Sequence, residues 1–192
     1  MEIPELFLSI CLGIGLAAAV GFRVFLPLMV LSAAGYFNVI ALDESWQWAG
    51  SLTAMITLGV AAIIEILGYY IPWVDNALDT VAVPLAAVAG TAVVAATVTD
   101  MSPVFTWALA IIAEGGTATL VQGNTTAARL VSSTTTGGIA NPVLTTVETG
   151  SSVVLSILSV VFPILALILV LIVFYFIFKF YKKLRKKNQP TV

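Results

Sequence analysis

The chain has no histidine, one cysteine and very little charge: 9% of its 192 residues are Asp, Glu, Lys or Arg. Each shortage excludes something. Without histidine there is no histidine-held zinc or haem, no Ser-His triad and no imidazole proton relay. With Cys11 alone there is no internal disulfide, and its apolar setting reads as packing. A soluble domain carries about 25% charged residues. At 9% charged, 60% hydrophobic and a mean hydropathy of +1.08, this chain could not cover the surface of a water-soluble globule. Apolar runs of roughly 20 residues instead make it an all-α polytopic membrane protein, a single helical bundle with no room for a soluble domain.

Cations are scarcer still. Of eight basic residues, six fall in the last 14 positions: Lys179, Lys182, Lys183, Arg185, Lys186 and Lys187. Ten carboxylates and a pI near 4.9 argue against a nucleic-acid partner. A basic cluster beside a span orients it, which puts the C-terminus in the cytoplasm and the protein in the cell (inner) membrane. The same tail could instead hold anionic lipid, at about 1 kcal/mol per base. The N-terminus, Met1-Glu2-Ile3-Pro4-Glu5, lacks the basic start of a signal peptide, so the first apolar stretch is expected to be kept.

Along the chain, Leu6 to Phe37 is too long for one span, and Gly21, Arg23 and Pro27 interrupt it. It reads as a re-entrant hairpin over 6–37, with helices at 6–20 and 24–37. Spans are expected at 48–71 and 77–98, separated by the turn 72–76. Ala82, Ala86 and Gly90 give the second a face for close packing. Asp100, Ser102 and Pro103 make the next turn. Residues 103–142 carry Glu114-Gly115-Gly116 and nine Thr or Ser between 117 and 136, too polar to face lipid. They read as a second re-entrant hairpin. A long helix, 143–178, with Pro163 as a kink, completes a transmembrane domain over 1–187. Residues 179–192 form the basic tail. Three spans and two hairpins place the N-terminus opposite the C-terminus.

The two hairpins share a weak pattern, a possible internal repeat. Ser32, Gly35 and Asn38 follow Arg23, and Thr135, Gly138 and Asn141 follow Arg129. Each hairpin is then followed by a helix with one carboxylate, Glu65 or Glu148. Three blocks carry a resemblance: Gly21-Phe22-Arg23 with Pro27-Leu28; Glu65 with Pro72, Asp75 and Asp79; and Arg129, Ser133, Thr136-Gly137-Gly138, Asn141-Pro142 and Glu148. Across about residues 10–150 the chain resembles the small prokaryotic membrane proteins grouped as domain of unknown function 4126. The resemblance implies a membrane protein without an assigned activity, whose charged positions belong to one shared site.

The candidate site is therefore built on Arg23 and Arg129, with Glu65, Glu148, Ser133, Thr136 and Asn141 as substrate-binding candidates. A central arginine costs about 2.5–3.5 kcal/mol on insertion scales, so each needs a reason to be there. One reason is an anionic or polar solute, or a phosphate-bearing lipid, gripped by the guanidinium fork beside broken backbone. The protein is then a small transporter or channel. The other is internal pairing, Arg23 with Glu65 and Arg129 with Glu148 or Glu114, in a non-transporting structural or assembly protein. Glu65 reads first as a partner for Arg23 and second as a carrier of a coupling proton. Asp75 and Asp79, four apart at a helix start, read as caps rather than a cation site. The Thr and Ser hydroxyls either strip water from a solute or bond their own i−4 carbonyls. No cofactor, metal site or catalytic residue is expected, since no nucleophile is set beside a base. Membrane lipid and a second copy of the chain, as a homodimer, are the expected partners.

Overall fold

The computed structural model describes residues 3–98 and 101–187. Among them the architecture is entirely helical: α1 Ile3–Val20, α2 Phe25–Tyr36, α3 Leu52–Gly68, α4 Pro72–Thr97, α5 Pro103–Leu109, α6 Gly116–Thr136, α7 Asn141–Val161 and α8 Pro163–Lys187. A 3₁₀ segment, Glu44–Gly50, precedes α3, and a π segment, Ala110–Gly115, joins α5 to α6. Large apolar side chains cover the outside, among them Ile64, Trp73, Val88, Ile112 and Phe176. In a bilayer that surface meets lipid. Three helices are long and apolar enough to cross a membrane: Trp73–Thr97, Pro103–Thr136 and Asn141–Val161. Glu44–Gly50 and Leu52–Gly68 are apolar and long enough only when taken together, and they are bent by 64° at their junction, as in a broken span or a re-entrant loop. Pro4–Val20, Phe25–Tyr36 and Pro163–Lys179 are shorter apolar helices.

The first stretch is two helices broken just after Gly21. Gly21 has no room for a side chain: a Cβ there would run into Val121 and come within 2.8 Å of the Ala118 carbonyl oxygen, so glycine brings α1 onto α6. Pro27 stands in the first turn of α2, where a missing amide costs nothing. The break between the 3₁₀ segment and α3 has its own caps. The Asp43 carboxylate accepts from the Ser45 amide (2.9 Å), and the Ser51 hydroxyl accepts from the Ala54 amide (3.1 Å). The core lies where the alanine face of α4 (Ala86, Ala89, Ala96) meets Leu12, Leu16 and Val20 of α1 and Ala118 of α6.

Four expectations are corrected. Residues 72–76 are not a turn but the opening of α4, since proline suits the first helical position. Residues 103–136 form one helical run rather than the arms of a hairpin. Five of the nine hydroxyls between 117 and 136 need no wet cavity, because they bond carbonyls one turn back: Thr117 to Ala113, Thr119 to Gly115, Thr134 to Leu130, Thr135 to Val131 and Thr136 to Ser132. Gly115 seats the π segment on α4, where a Cβ would lie 2.7 Å from the Thr91 hydroxyl. The chain turns only at Gly137 and Gly138, both at positive φ (64° and 84°). The helix expected over 143–178 breaks at Phe162–Pro163, and α8 folds back along α7, so that Ala166 and Val170 pack with Leu155 and with Ala18 and Ala19 of α1. Finally, the two arginines sit in unlike backbone, Arg23 in an interhelix turn and Arg129 inside α6, and the repeat finds no support. Asp100 lies outside the described residues, as do 188–192 of the tail.

Candidate functional site

One end of the bundle collects the α1–α2 turn, the α3–α4 turn, the last turns of α6 and the first turns of α7. This topology brings Arg23, Asp75, Arg129 and Glu148 together, all buried. Glu148 stands at the centre. Its carboxylate accepts from Arg129 at two points, Oε1 from Nε at 3.1 Å and Oε2 from Nη2, and Oε2 also meets Nη1 of Arg23 at 3.0 Å. Asp75 takes Nη1 of Arg129 on one oxygen and the Asn141 side-chain amide on the other (2.8 Å). The remaining guanidinium nitrogens go to α7 hydroxyls and to carbonyls. Arg129 Nη2 donates to the Thr145 hydroxyl (3.1 Å), Arg23 Nε to the Thr149 hydroxyl (3.1 Å), Arg23 Nη2 to the Thr145 carbonyl (3.2 Å) and Arg23 Nη1 to the Phe22 carbonyl (2.9 Å). Both guanidinium carbons also lie over the Tyr69 ring, 4.1 and 4.5 Å from its centroid. Cation–π contacts of this kind strengthen where water is excluded.

The family model described as a domain of unknown function (DUF4126) matches residues 10–183. The chain belongs to this family. The match runs through most of α8, beyond the 10–150 on which the resemblance rested. No curated protein and no solved structure matches the chain.

Glu65 departs from the role expected of it in this DUF4126 chain. It does not pair with Arg23. Its two oxygens accept the Val24 and Phe25 amides, at 2.7 and 2.9 Å. These are the first free donors of α2, which has no capping side chain of its own. A carboxylate at a helix N-terminus meets both the unpaired amides and the positive end of the dipole. Glu65 is therefore a cap supplied across the bundle by α3. Ser133 joins the edge of the cluster through Asn141 (3.2 Å). Thr136 does not join it: it is exposed, and it bonds the Ser132 carbonyl and the Ala140 amide. The side chain of Glu114 lies outside the described residues.

Sequence reasoning passed over four members of the site. Asp75 looked like a cap and is an ion-pair partner. Tyr69, at the end of the span expected over 48–71, stands where aromatic interfacial anchors usually sit, yet it is buried. Thr145 and Thr149 carried no charge to draw attention. Asn141, Thr145 and Glu148 nonetheless follow i, i+4, i+7 spacing, which puts them on one helix face, and that signal was there to be read. Asp79 is one turn along α4 from Asp75, within electrostatic range of both arginines. Its Oδ1 and the Asn141 Oδ1 are buried without a hydrogen-bond partner. Among the described residues no three His, Cys, Asp or Glu side chains group as a metal ion would require.

Proposed function

We propose that this protein is a non-transporting structural or assembly element of the membrane, whose buried arginine–carboxylate network locks its helices together. One observation carries the reading. Every nitrogen of both guanidiniums already has a partner from the chain itself: Glu148, Asp75, Thr145, Thr149 or a backbone carbonyl. An arginine reserved for an anionic substrate would keep part of its fork open. Here four of the five N–H groups of each guanidinium are spent inside the chain, nearly all on α4 and α7, and truncating such a network leaves an unpaired buried charge, which is strongly destabilising. The basic tail, by the positive-inside rule, would set this end of the bundle toward the cytoplasm. The same reading includes a homodimer, which light scattering in detergent tests.

Reconstitution tests the lock. Liposomes carrying the purified protein are expected to pass chloride, phosphate and a labelled anionic lipid no faster than empty ones. Flux that Arg129→Ala abolishes, with the variant still folded, would overturn it.

A second reading, transport past the arginines, keeps one observation in its favour. Four carboxylates (Glu65, Asp75, Asp79 and Glu148) stand around two arginines, and Asp79 Oδ1 and Asn141 Oδ1 have no partner. A site with two more acids than arginines favours a proton or cation as the moving charge over the anion expected from the arginines alone. Acidification of liposomes driven by an imposed pH gradient, lost in Asp79→Asn, would support it.

A further inference from the structure

The network satisfies its arginines and leaves acceptors over. Among the described residues four buried side-chain atoms have no hydrogen-bond partner, and three of them belong to residues around Asp75: Asp79 Oδ1, Asn141 Oδ1 and Ser132 Oγ. Asn141 is tied to Asp75 through its amide nitrogen (2.8 Å), which also reaches the Ser133 hydroxyl (3.2 Å). The nitrogen end is thereby fixed, and the carbonyl oxygen is the end left without a donor. Ser132 precedes Ser133 and lies one turn beyond Arg129, whose Nη1 holds Asp75. Asp79 is one turn from Asp75 on α4, a spacing that sets Cβ atoms about 5–6 Å apart. Asn141 and Ser132 are more than nine-tenths buried, at 7% and 8% exposure, so bulk water does not serve them.

We propose that Asp79 and Asn141 hold one alkali-metal cation beside Asp75, with the Ser132 hydroxyl as a further oxygen. The orphan atoms state what is wanted. A carboxylate oxygen and an amide carbonyl only accept, so their ligand supplies positive charge or donated protons. The charge count then chooses. Asp75, Asp79 and Glu148 stand with Arg23 and Arg129, three acids to two bases, and the three ion pairs of the network leave Asp79 out. Glu65 does not enter the count, being spent on the α2 amides. One negative charge is left over where uncompensated charge is costly. A water molecule would satisfy the acceptors and leave that charge standing. A monovalent cation answers both. A divalent ion would overshoot by one charge, and among the described residues no three acids group to hold it. The site needs no transport: a cation that stays in place completes the lock, and the test of the lock in Arg129 variants does not depend on it.

The test melts the full chain, in one mild nonionic detergent at fixed pH, in sodium chloride, potassium chloride or N-methylglucamine chloride of equal ionic strength. Methylglucamine is too large for the site and controls for screening. At ten times its dissociation constant, the preferred alkali ion should raise the melting temperature by about 3–6 °C over methylglucamine, and the rise should follow the logarithm of its concentration. Asp79→Asn keeps an oxygen and removes the unbalanced charge. It should erase the difference between salts and melt no lower than the unaltered protein does in methylglucamine. Asn141→Asp adds a second unbalanced acid and should widen the difference between salts, whatever its own baseline. Equal melting of the unaltered protein in all three salts would overturn the proposal and leave water or a proton as the occupant. A difference that survives Asp79→Asn would place the ion elsewhere and overturn it too. So would magnesium or calcium raising the melting temperature at concentrations where sodium and potassium do nothing.

Discussion

Replacing Arg129 by methionine removes the fork and keeps the stem's bulk. It strands Asp75, whose other partner is only the Asn141 amide, and leaves Glu148 to Arg23. Removing one partner of a buried ion pair costs about 3–5 kcal/mol. In a chain of this length 1 kcal/mol moves the melting temperature by about 2–4 °C. Arg129→Met should therefore melt about 6–20 °C below the unaltered protein. The decisive comparison is between two double variants. Adding Asp75→Asn discards the stranded charge and keeps the Arg23–Glu148 pair, so the melting temperature should recover by about 1–3 kcal/mol of coupling. Adding Glu148→Gln instead strands Arg23 as well as Asp75, and the melting temperature should fall further. Circular dichroism in one detergent, at a fixed protein-to-detergent ratio, reads the order of the three. If the two doubles melt together, or if Asp75→Asn deepens the loss, the pairing is not what holds these helices and the lock fails.

Three smaller tests follow from local geometry. Glu65→Ala should lose about 1–3 kcal/mol by orphaning a buried amide of α2, and Glu65→Gln less; hydrogen exchange at Val24 and Phe25 should speed up in the same order. Gly138→Ala forces a side chain into the left-handed region at φ 84° and should cost about 1–2 kcal/mol, read as a lower melting temperature. Gly21→Ala should destabilise by about 1–3 kcal/mol through overpacking on α6, whereas Gly123→Ala, an open position inside the same α6, should stabilise by about 0.5–1 kcal/mol.

Much of the site could be read from the residues, because intramembrane charge has few legitimate uses. Arg23, Arg129 and Glu148 were singled out on that ground, and they meet. Which charge meets which was not legible. Arg23 and Glu148 are joined only by the packing of α1 and α2 against α7, and the nearer candidate, Glu65, turned out to serve the α2 amides. Asp75 and Tyr69 were hidden by position: an acid in a first turn looks like a cap, and a tyrosine after a span looks like an anchor. In the fold, the break after Gly21 was legible from glycine and proline chemistry. The continuous course of the helix through 103–136 was not, because counting Thr and Ser measures polarity without revealing that most of the threonine hydroxyls are satisfied one turn back. At Pro163 the chemistry foretells a break in the helix but not its angle, and the difference between a kink and a reversal lies in the packing of Ala166 and Val170 on α1.

The long reach of the network has a consequence for how the protein is made. The partners of Arg23 on α7 lie 122 to 126 residues downstream. At about 5–20 residues per second, the ribosome delivers the arginine some 6–25 s before the groups that neutralise it. For that interval α1 and α2 carry a naked guanidinium. Until α7 emerges, the insertion cost of Arg23, about 2.5–3.5 kcal/mol at a helix centre, falls on α1 and α2 alone; the α7 partners then remove it at one stroke, which makes the last-made part of the network the part that secures the first-made helices.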